Sequence, residues 1–336
     1  MKAAQISKYS KELDVKLVEI EKPNIQEHEV LIKVIVAALN PLDIMNITGS
    51  VRLIQDYKKP FTLGNELSGI IKTVGSKVTE FKPGDRVYAR LPVNKIGAIA
   101  EYVAVDQSAI WFMPKNLDFE RAAAIPLTGL TAYQAYQDIL KVKAEETVLI
   151  PGGSGSFGQL AVPLGKHFGL NIIVTGNKAS KERVLATGAT QYLDYRTENY
   201  WETLSKVDYV IDTVGTREID HEFSVLNPGG KLLSLIAGPN KEFATRQNMP
   251  FWKKWLFTLA GSKLDKKAAK IGAEYRFIFV QADGTQLQEI TRIVEQENIV
   301  PVVDPHQFTL NEINAGLNFL RDDHPKGKVI IHVANQ

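Results

Sequence analysis

A glycine-rich turn is the segment of this sequence with the clearest chemical potential. Three glycines are spaced as Gly153-x-Gly155-x-x-Gly158, directly after the apolar run Thr147–Ile150 and before a helical pattern. In such a turn the first glycine permits a tight bend, the second lets a pyrophosphate approach the backbone, and the third lets the helix pack on the strand. The phosphate then meets backbone N–H groups at the helix N-terminus. We therefore predict a dinucleotide site formed by Gly153, Ser154, Gly155, Ser156, Phe157 and Gly158.

Two other phosphate-binding motifs contain part of the same sequence pattern. A protein-kinase glycine loop requires a later His-Arg-Asp and Asp-Phe-Gly, and neither tripeptide occurs in the chain. A nucleotide-hydrolase loop requires Gly-Lys followed by Ser or Thr, whereas Lys166 is followed by His167. The sequence excludes both alternatives, and Pro163 predicts a bend in the helix that follows the turn.

The end of the second predicted strand of this pattern indicates which nicotinamide dinucleotide binds. An NAD site places an acidic residue about 20 positions beyond the glycines, where it bonds the ribose 2′-hydroxyl. Here the strand Asn171–Thr175 is followed by small or polar residues, and no carboxylate appears before Glu182. Nearby lysine and arginine side chains can pair with a 2′-phosphate, although they could also be solvated side chains at the exposed start of a helix. We predict NADPH as the cofactor, held at this end by Thr175, Gly176, Asn177, Lys178, Lys181 and Arg183.

The composition removes several other classes of function. The chain has 336 residues, a formal net charge of +2 and no cysteine. Without cysteine there is no disulfide, no catalytic thiolate and no zinc site built from thiolates. The small net charge gives no reason to expect nucleic acid or a membrane as a partner, and no run of about 20 apolar residues is available to cross a bilayer. Because no signal-peptide core follows Met1, we expect a cytoplasmic protein.

Two kinds of hydrophobic pattern divide the chain into two domains. Short strand patterns at Glu29–Ala38, Leu67–Val74 and Tyr102–Val105 are typical of a β domain. Helical spacing over Thr131–Leu140 then gives way to alternating strands and helices, which indicates a parallel sheet with crossover helices. The strands predicted for this sheet are Thr147–Ile150, Asn171–Thr175, Tyr209–Thr213, Lys231–Ile236 and Arg276–Val280. We assign residues 1–122 to the β domain, completed by 281–336 with its strand Val329–Val333, and residues 123–280 to the dinucleotide-binding domain.

An aromatic and lysine-rich segment interrupts the pattern at residues 239–273. It contains Phe251-Trp252-Lys253-Lys254-Trp255, and we predict that it is helical. Such a helix could serve as a lid or a subunit contact, or it could bury its aromatic side chains against its own domain. The sequence leaves both readings open.

Further motifs accompany the glycine turn in a fixed order. They are Leu39-Asn40-Pro41-Leu42-Asp43, Gly64-Asn65-Glu66-Leu67-Ser68-Gly69, Leu127-Thr128-Gly129-Leu130-Thr131-Ala132-Tyr133 and Gly327-Lys328-Val329. In combination they resemble the medium-chain dehydrogenase/reductase superfamily, in its zinc-independent quinone oxidoreductase and enone (alkenal) reductase branch, over essentially the whole chain. The resemblance implies an α/β fold with a GroES-like β-barrel domain and a Rossmann domain built on a doubly wound parallel sheet, with the cofactor in the cleft between them. The runs Phe279–Gly284, Ile299–Asp304 and Lys326–Val329 resemble the enone and alkenal reductases within this branch, which favours an α,β-unsaturated carbonyl substrate over a bulky quinone.

Zinc-dependent alcohol dehydrogenases of the same superfamily hold their catalytic metal with a cysteine in the first motif and a histidine in Gly-His-Glu. Here the matching histidine position is Asn65, and both cysteine and the structural-zinc loop are absent. The resemblance therefore implies that no metal is bound. Chemistry without a Lewis acid suits an already polarised alkene or quinone better than a simple alcohol.

The resemblance also assigns roles in the first domain. Asn40 and Asp43 face the nicotinamide or the substrate, and the Asn40 amide can donate to the substrate carbonyl and stabilise the enolate. Asp43 orients Asn40 or the ribose, while Glu66 is a buried structural carboxylate. Tyr57 is a candidate proton donor or substrate wall. The plain alternatives are that Asn40 satisfies a turn before Pro41 and that Tyr57 packs as an apolar side chain.

Other expected cofactor contacts lie outside the glycine turn. Thr131 is expected beside the nicotinamide, unless its hydroxyl only caps its helix. Tyr195 follows the third strand and is expected against the adenosine phosphate, with Arg196 as a further contact to it or a solvated side chain. Val214 and Ile236 follow the fourth and fifth strands, at the edge where open α/β sheets bind ligands. Asn40 and Lys328 complete the predicted set.

We therefore predict an NADPH-dependent oxidoreductase that transfers hydride to a quinone or to the activated C=C of an α,β-unsaturated carbonyl, without zinc. Two alternatives remain open. One is a non-catalytic NADPH-binding redox sensor or structural protein. The other is an enoyl thioester reductase, for which Lys253 and Lys254 would supply a basic entrance. A homodimer is expected, and one mode would pair the edge strand Arg276–Val280 of two copies.

Overall fold

The computed structural model describes residues 1–323 and 325–334, and the chain divides into two units, Met1–Leu130 with Gln281–Gln336, and Thr131–Val280. The strands are β1 (Lys2–Ile6), β2 (Lys16–Glu19), β3 (Glu29–Ala38), β4 (Phe61–Thr62), β5 (Glu66–Val74), β6 (Arg86–Arg90), β7 (Tyr102–Asp106), β8 (Ile110–Phe112), β9 (Thr147–Ile150), β10 (Asn171–Gly176), β11 (Gln191–Asp194), β12 (Val207–Asp212), β13 (Leu226–Ser234), β14 (Glu274–Phe277), β15 (Phe308–Thr309) and β16 (Ile330–His332). The helices are α1 (Pro41–Thr48), α2 (Phe119–Ala123), α3 (Pro126–Gln134), α4 (Gly158–His167), α5 (Lys181–Ala186), α6 (Tyr200–Thr203), α7 (Ile219–Ser224), α8 (Lys241–Arg246), α9 (Phe251–Lys270), α10 (Gly284–Gln296) and α11 (Ile313–Asp322).

The first unit is organised around β3. This strand is buried along almost its whole length, which explains why its sequence is a continuous apolar run and does not alternate. It pairs antiparallel with β5, β7 and β16 inside a seven-stranded sheet, in which six strands have the order β15-β16-β3-β5-β6-β8 and β7 branches off at β3. A second sheet has the order β2-β1-β4. The predicted β domain is therefore confirmed, with β3 at the predicted bounds.

The closing segment of the chain completes this unit. Strand β16 lies antiparallel to β3, with Ile331 opposite Ala37, and Leu39 N–H donates to the carbonyl of Val329 at 2.9 Å. Helix α10 is held by Tyr88, whose hydroxyl donates to Leu287 O at 3.0 Å. The expectation that the last strand returns to the first domain is confirmed.

The first unit extends further along the chain than the predicted residue 122. Helix α2 is tied to the β sheet by Ser68, whose hydroxyl donates to Phe119 O at 2.6 Å. The first turn of α3 is tied in the same way, because Leu127 N–H donates to Glu66 Oε2 at 2.6 Å. These contacts move the boundary to Leu130, within α3.

The second unit is a six-stranded parallel sheet of order β11-β10-β9-β12-β13-β14. The order reverses between β9 and β12, which defines a doubly wound sheet and places its ligand-binding edge there. The five predicted strands are all present, but β13 ends at Ser234, two positions before the predicted Ile236. It ends there because the Ser234 hydroxyl accepts the N–H groups of the next turn. Helix α4 runs on through Pro163.

The outer edge of β14 is closed by side chains of its own unit. The outward carbonyls of Tyr275 and Phe277 accept hydrogen bonds from Asn240 Nδ2 at 3.1 Å and from Arg246 Nη2 at 2.7 Å. Pairing of this strand between two copies would need these carbonyls free. The predicted edge-to-edge contact stays a prediction that would require Asn240 and Arg246 to release these carbonyls, and β14 spans Glu274–Phe277 in place of Arg276–Val280.

The aromatic segment at residues 239–273 is helical, as predicted, and forms α8 and α9. Phe257 of α9 is buried, with 3% of its surface exposed. Phe251, Trp252 and Trp255 are exposed by 84%, 56% and 61%, so the reading in which this helix buries its aromatics holds only in part. Within the described ranges, no helix is both long and apolar enough to span a membrane.

Candidate active site

Six buried polar residues form one cluster in the first unit, here called the polar cluster. Each is at most 4% exposed. Two are carboxylic acids, two are cations and two are amides: Asp43, Glu66, Arg90, Lys328, Asn40 and Asn65. Buried groups of this kind are stable only when they satisfy one another, so their hydrogen bonds define the site.

Asn40 and Asp43 are positioned by the start of α1. The chain leaves β3 at Ala38, Asn40 precedes the helix in an extended conformation, and Pro41 begins the helix. Asp43, in the first turn, accepts the backbone N–H of Asn40 at 2.8 Å through Oδ2. Its other oxygen accepts Asn65 Nδ2 at 2.7 Å. Asp43 therefore orients Asn40, as predicted, and holds the Gly-Asn-Glu motif beside it.

The Asn40 side chain is bonded on both sides. Its Nδ2 donates to Glu66 Oε1 at 2.8 Å and to Ala38 O at 3.2 Å, and its Oδ1 accepts Lys328 Nζ at 2.5 Å. The amide cannot be flipped, because that would face its NH₂ to an ammonium and its oxygen to a carboxylate. Both amide hydrogens are thus committed to acceptors within the unit. The side chain therefore anchors Lys328, and donation to a substrate carbonyl, which stays a prediction, would require one of these bonds to be exchanged.

Glu66 joins the motifs into one network. Its Oε1 lies 2.6 Å from Lys328 Nζ, and its Oε2 accepts the N–H of Leu127 at 2.6 Å. Arg90 is the register partner of Glu66 on the neighbouring strand, and its Nη1 donates to Leu91 O. Glu66 is a buried structural carboxylate, as predicted, and Lys328 is its main counter-ion.

Arg90 was missed by the sequence reasoning. Burial lowers the pKa of its guanidinium to about 10, and its Nε has no hydrogen-bond partner among residues 1–323 and 325–334. The signal was available, because a lone cation inside the apolar run Val87–Leu91 must be paired or used.

Asp43 is the group of the cluster that titrates near neutral pH. Burial raises its pKa to about 7, and the negative charge of Glu66 adds to the rise. The bonds from Asn40 and Asn65 and the charge of Lys328 oppose it. The carboxyl can therefore hold or release a proton close to physiological pH.

Tyr57 fits the substrate-wall reading better than the proton-donor reading. Its hydroxyl donates to the carbonyl of Val93 at 2.8 Å, and its ring packs 4.8 Å from that of Phe61. Burial raises the pKa of its phenol to about 12. The proton is thus both engaged and hard to release.

The glycine turn of the second unit has the geometry its spacing predicts. A Cβ at Gly158 would overlap the carbonyl of Gly153, so the third glycine is required by contact between the turn and its helix. A Cβ at Gly155 would meet only Gly152 O, at 3.8 Å. Among the residues that the structure describes, nothing crowds a Cβ at position 155, so the open side of the turn leaves room for a ligand. Ser154, Ser156 and Phe157 lie in the same turn, directly before α4.

The turn is fixed by the predicted residue Thr175 of β10 and by two residues that sequence reasoning did not single out, Gly152 and Thr213. Gly152 has a φ of +68°, and its N–H donates to Thr175 Oγ1 at 3.1 Å. A side chain at this position would collide with Thr213 and Val214. Thr213 in turn donates its hydroxyl to Pro151 O at 2.6 Å. Thr175 therefore shapes the turn.

Half of the residues predicted for the adenosine end lie close to the glycine turn. Gly176 allows close contact with Ser154 and Tyr192, because a Cβ there would overlap both side chains. Arg183 Nη2 donates to Ser154 O at 2.8 Å, so this cation is anchored to the glycine turn. The Asn177 side chain accepts the N–H of Ser180 at 3.1 Å and shapes the next turn. Four predicted cofactor residues are more peripheral, with exposed side chains or a bond only to a neighbour: Lys178, Lys181, Tyr195 and Arg196.

A carboxylate and a hydroxyl hold the turns after β12 and β13. Asp212 Oδ1 accepts the N–H groups of Val214 at 2.8 Å and Gly215 at 2.6 Å, and Oδ2 accepts the Ser234 hydroxyl at 2.6 Å. Ser234 Oγ in turn accepts the N–H groups of Ile236 at 3.1 Å and Ala237 at 2.7 Å. The predicted ligand-facing residues Val214 and Ile236 are 40% and 50% exposed. Thr131 is 8% exposed on α3.

Comparison with known proteins identifies the family. A family model described as alcohol dehydrogenase GroES-like domain matches residues 26–115, and one described as zinc-binding dehydrogenase matches residues 187–331. The 2-methylene-furan-3-one reductase of Solanum lycopersicum is 30% identical over 319 residues, covering 92% of this chain and 73% of that protein. The chloroplastic NADPH-dependent alkenal/one oxidoreductase of Arabidopsis thaliana has the same identity and coverage. The chain belongs to the quinone and enone reductase branch of the medium-chain dehydrogenase/reductase superfamily.

A solved member of this branch has the same fold. The structure of the quinone oxidoreductase from Coxiella burnetii aligns with a TM-score of 0.83 at 27% identity and covers 99% of both chains. The first unit is therefore the GroES-like domain and the second is the Rossmann domain of a medium-chain dehydrogenase/reductase. Membership in this superfamily makes the chain an oxidoreductase with a nicotinamide cofactor.

The polar cluster does not fit the zinc site of the metal-dependent branch. Zinc prefers thiolate, imidazole and carboxylate ligands, whereas Asn65 stands at the histidine position and Asn40 Oδ1 is bonded by the Lys328 ammonium. Across the described part of the chain, no group of three or more His, Cys, Asp or Glu side chains is placed to hold a metal ion. A fixed ammonium within the cluster would also repel a dication.

Proposed function

We propose that this oxidoreductase uses NADPH to reduce the activated C=C bond of an α,β-unsaturated carbonyl, or a quinone, without zinc. The observation that carries the proposal is the Lys328 ammonium, which is bonded to Asn40 and Glu66 inside a cluster that lacks zinc-type ligands. A cluster without zinc-type ligands does not supply a Lewis acid that would polarise the substrate. A substrate that is already polarised, as enones and quinones are, therefore suits this site best. The names of the two plant relatives are consistent with this substrate class.

The residues of the second unit fit a phosphorylated dinucleotide. Among the described residues, only Gly152 O lies near the position of a Cβ at Gly155, so a pyrophosphate could approach the backbone there. The turn leads directly into α4, whose first backbone N–H groups suit a pyrophosphate. Arg183, with the exposed Lys178 and Lys181, would hold the 2′-phosphate, and no carboxylate follows β10 before Glu182. Asp212 and Ser234 would fix the turns that carry Val214 and Ile236 against the ring. When bound, NADPH supplies the hydride.

The polar cluster would supply electrostatic stabilisation. With Asp43 protonated, the cluster holds two cations, Arg90 and Lys328, against one carboxylate, Glu66, and therefore has a net charge of about +1. Ionised Asp43 reduces that charge to about zero. A positive cluster favours the negative oxygen that develops on an enone as its β-carbon is reduced. Because the pKa of Asp43 is raised to about 7, turnover should be higher below pH 7 than above it.

The test is NADPH oxidation, followed by absorbance, with a panel of a small enone, an enal and a benzoquinone. We expect turnover that is insensitive to a zinc chelator and that falls as pH rises through about 7. Asp43→Asn should remove this step from the pH profile, since it keeps a neutral side chain at every pH. Glu27→Gln changes an exposed carboxylate and serves as the control. Tight NADPH binding with no turnover across the panel would refute the reductase and leave a non-catalytic NADPH-binding protein.

A further inference from the structure

Helix α9 presents an unusual surface, here called the α9 outer face. Its first half carries Phe251, Trp252, Trp255 and Leu259, which are exposed by 84%, 56%, 61% and 54%. Trp255 lies three or four residues after Trp252 and Phe251, and Leu259 lies four residues after Trp255, so all four share one side of the helix. The opposite side is buried at Phe257, Gly261 and Ala268. The exposed aromatics are therefore additional to those the helix needs for its own packing.

The same side of the helix becomes basic in its second half. Lys263, Lys266 and Lys270 follow the aromatic residues on the outer face, and all three are exposed. The helix has six lysines and one aspartate, a net charge of +5, and one of these lysines, Lys267, is paired with Asp220 of α7, while the whole chain has a net charge of only +2. Its single acid, Asp265, accepts a hydrogen bond from Asn240 at 2.7 Å. The small net charge of the whole chain therefore does not reveal that this one helix is strongly basic.

We propose that the α9 outer face docks on the surface of an anionic lipid bilayer. Trp and Phe side chains favour the headgroup level of a bilayer, where their rings are buried in part, and lysines reach the lipid phosphates. Aromatic and basic residues follow one another along a single face, so both can contact one plane at the same time. The helix would lie in the interface and would not cross it. This docking does not depend on the proposed reaction.

A second copy of the chain suits this face less well. Two such helices in contact would bring two charges of +5 together, and like charges across an interface are unfavourable. An anionic surface matches the charge of the helix, whereas another copy repeats it.

The experiment is co-sedimentation of the full chain with vesicles of phosphatidylcholine, alone or mixed equally with phosphatidylglycerol. We expect binding only to the mixed vesicles and release at high salt. Trp252→Ser with Trp255→Ser should weaken binding by more than about tenfold. Lys263→Gln with Lys266→Gln should weaken it by about fivefold per lysine. Matched controls are the exposed apolar pair Val300→Ser with Val302→Ser and the exposed lysine pair Lys8→Gln with Lys82→Gln.

Two readouts keep the proposal falsifiable. Thermal unfolding of each variant establishes that it is folded, and light scattering gives its mass. No binding to the mixed vesicles, or equal losses in the α9 variants and their controls, would overturn the proposal. It would also be overturned if the aromatic variant turned a dimer into a monomer while the native chain ignored vesicles, because a second copy would then cover the face.

Discussion

The Lys328–Glu66 pair allows a sharp test of the polar cluster. Lys328→Met removes an ammonium that lies 2.5 Å from Asn40 Oδ1 and 2.6 Å from Glu66 Oε1. Glu66 would keep the N–H groups of Asn40 and Leu127, but a fully buried carboxylate would lose its nearest cation. Breaking a buried ion pair by removing one partner costs about 3–5 kcal/mol. We expect the free energy of unfolding to fall by about that amount.

The chain contains a matched control for this substitution. Lys77 and Glu27 also lie 2.6 Å apart, but their side chains are 57% and 62% exposed, compared with 4% and 0% for Lys328 and Glu66. An exposed pair contributes about 0–1 kcal/mol, so Lys77→Met should change stability little. The two variants thus differ in burial and not in residue type or distance.

Urea unfolding, followed by tryptophan fluorescence, measures both variants. With a slope of about 2 kcal/mol per molar urea, a loss of about 4 kcal/mol lowers the midpoint by about 2 M. Adding Glu66→Gln to Lys328→Met should recover part of the loss, because the stranded charge is then gone. If Lys328→Met costs no more than Lys77→Met, or if Glu66→Gln adds its full cost to the double variant, the cluster is not held together by this pair.

Three further outcomes follow from the Rossmann domain. Asp212→Asn and Ser234→Ala should each weaken NADPH binding by about tenfold or more, and the losses should be less than additive in the double variant, because the two residues share one hydrogen bond although each also holds a turn of its own. Lys178→Ala should raise the KM for NADPH more than the KM for NADH, since only NADPH carries a 2′-phosphate. Burial raises the pKa of Glu222 from 4.5 to about 10, so the folded wild type keeps a proton that the unfolded chain releases. Its stability relative to Glu222→Gln should therefore fall as pH rises from about 5 to about 10, by about 1.4 kcal/mol per pH unit.

Each of these has a measurement that can contradict it. If the two losses of NADPH affinity are additive in a titration, Asp212 and Ser234 act independently of each other. Equal changes in the two KM values would remove Lys178 from the phosphate site. A stability difference between Glu222→Gln and wild type that stays constant from pH 5 to pH 9 would mean that Glu222 is ionised in the folded state.

Much of the fold could be predicted because its signals are local. The apolar runs of β3 and β9 have the same bounds in the sequence pattern and in the structure. The prediction failed where a side chain ends an element: Ser234 stops β13 by accepting the N–H groups of residues 236 and 237, and periodicity does not register such a bond. Periodicity likewise does not register that Asn240 and Arg246, from another segment, donate to the outer carbonyls of β14.

The site divides in the same way. The motif residues Asn40, Asp43 and Glu66 were found, but the bonding of Asn40 was not, because its partner Lys328 is 288 positions away. A spacing pattern gives residue types and not the direction of a hydrogen bond. Arg90 and Asp212 could have been noticed as charges inside or at the end of apolar strands, although their partners depend on packing.

The position of Lys328 near the end of the chain also bears on how the protein folds during synthesis. A ribosome delivers Asn40, Glu66 and Arg90 long before it delivers the ammonium that balances them, and β3 waits equally long for β16 on one edge. Until then Glu66 lacks its counter-ion, and one edge of β3 is unpaired. A nascent first domain should therefore remain a natural client for chaperones until its last strand arrives.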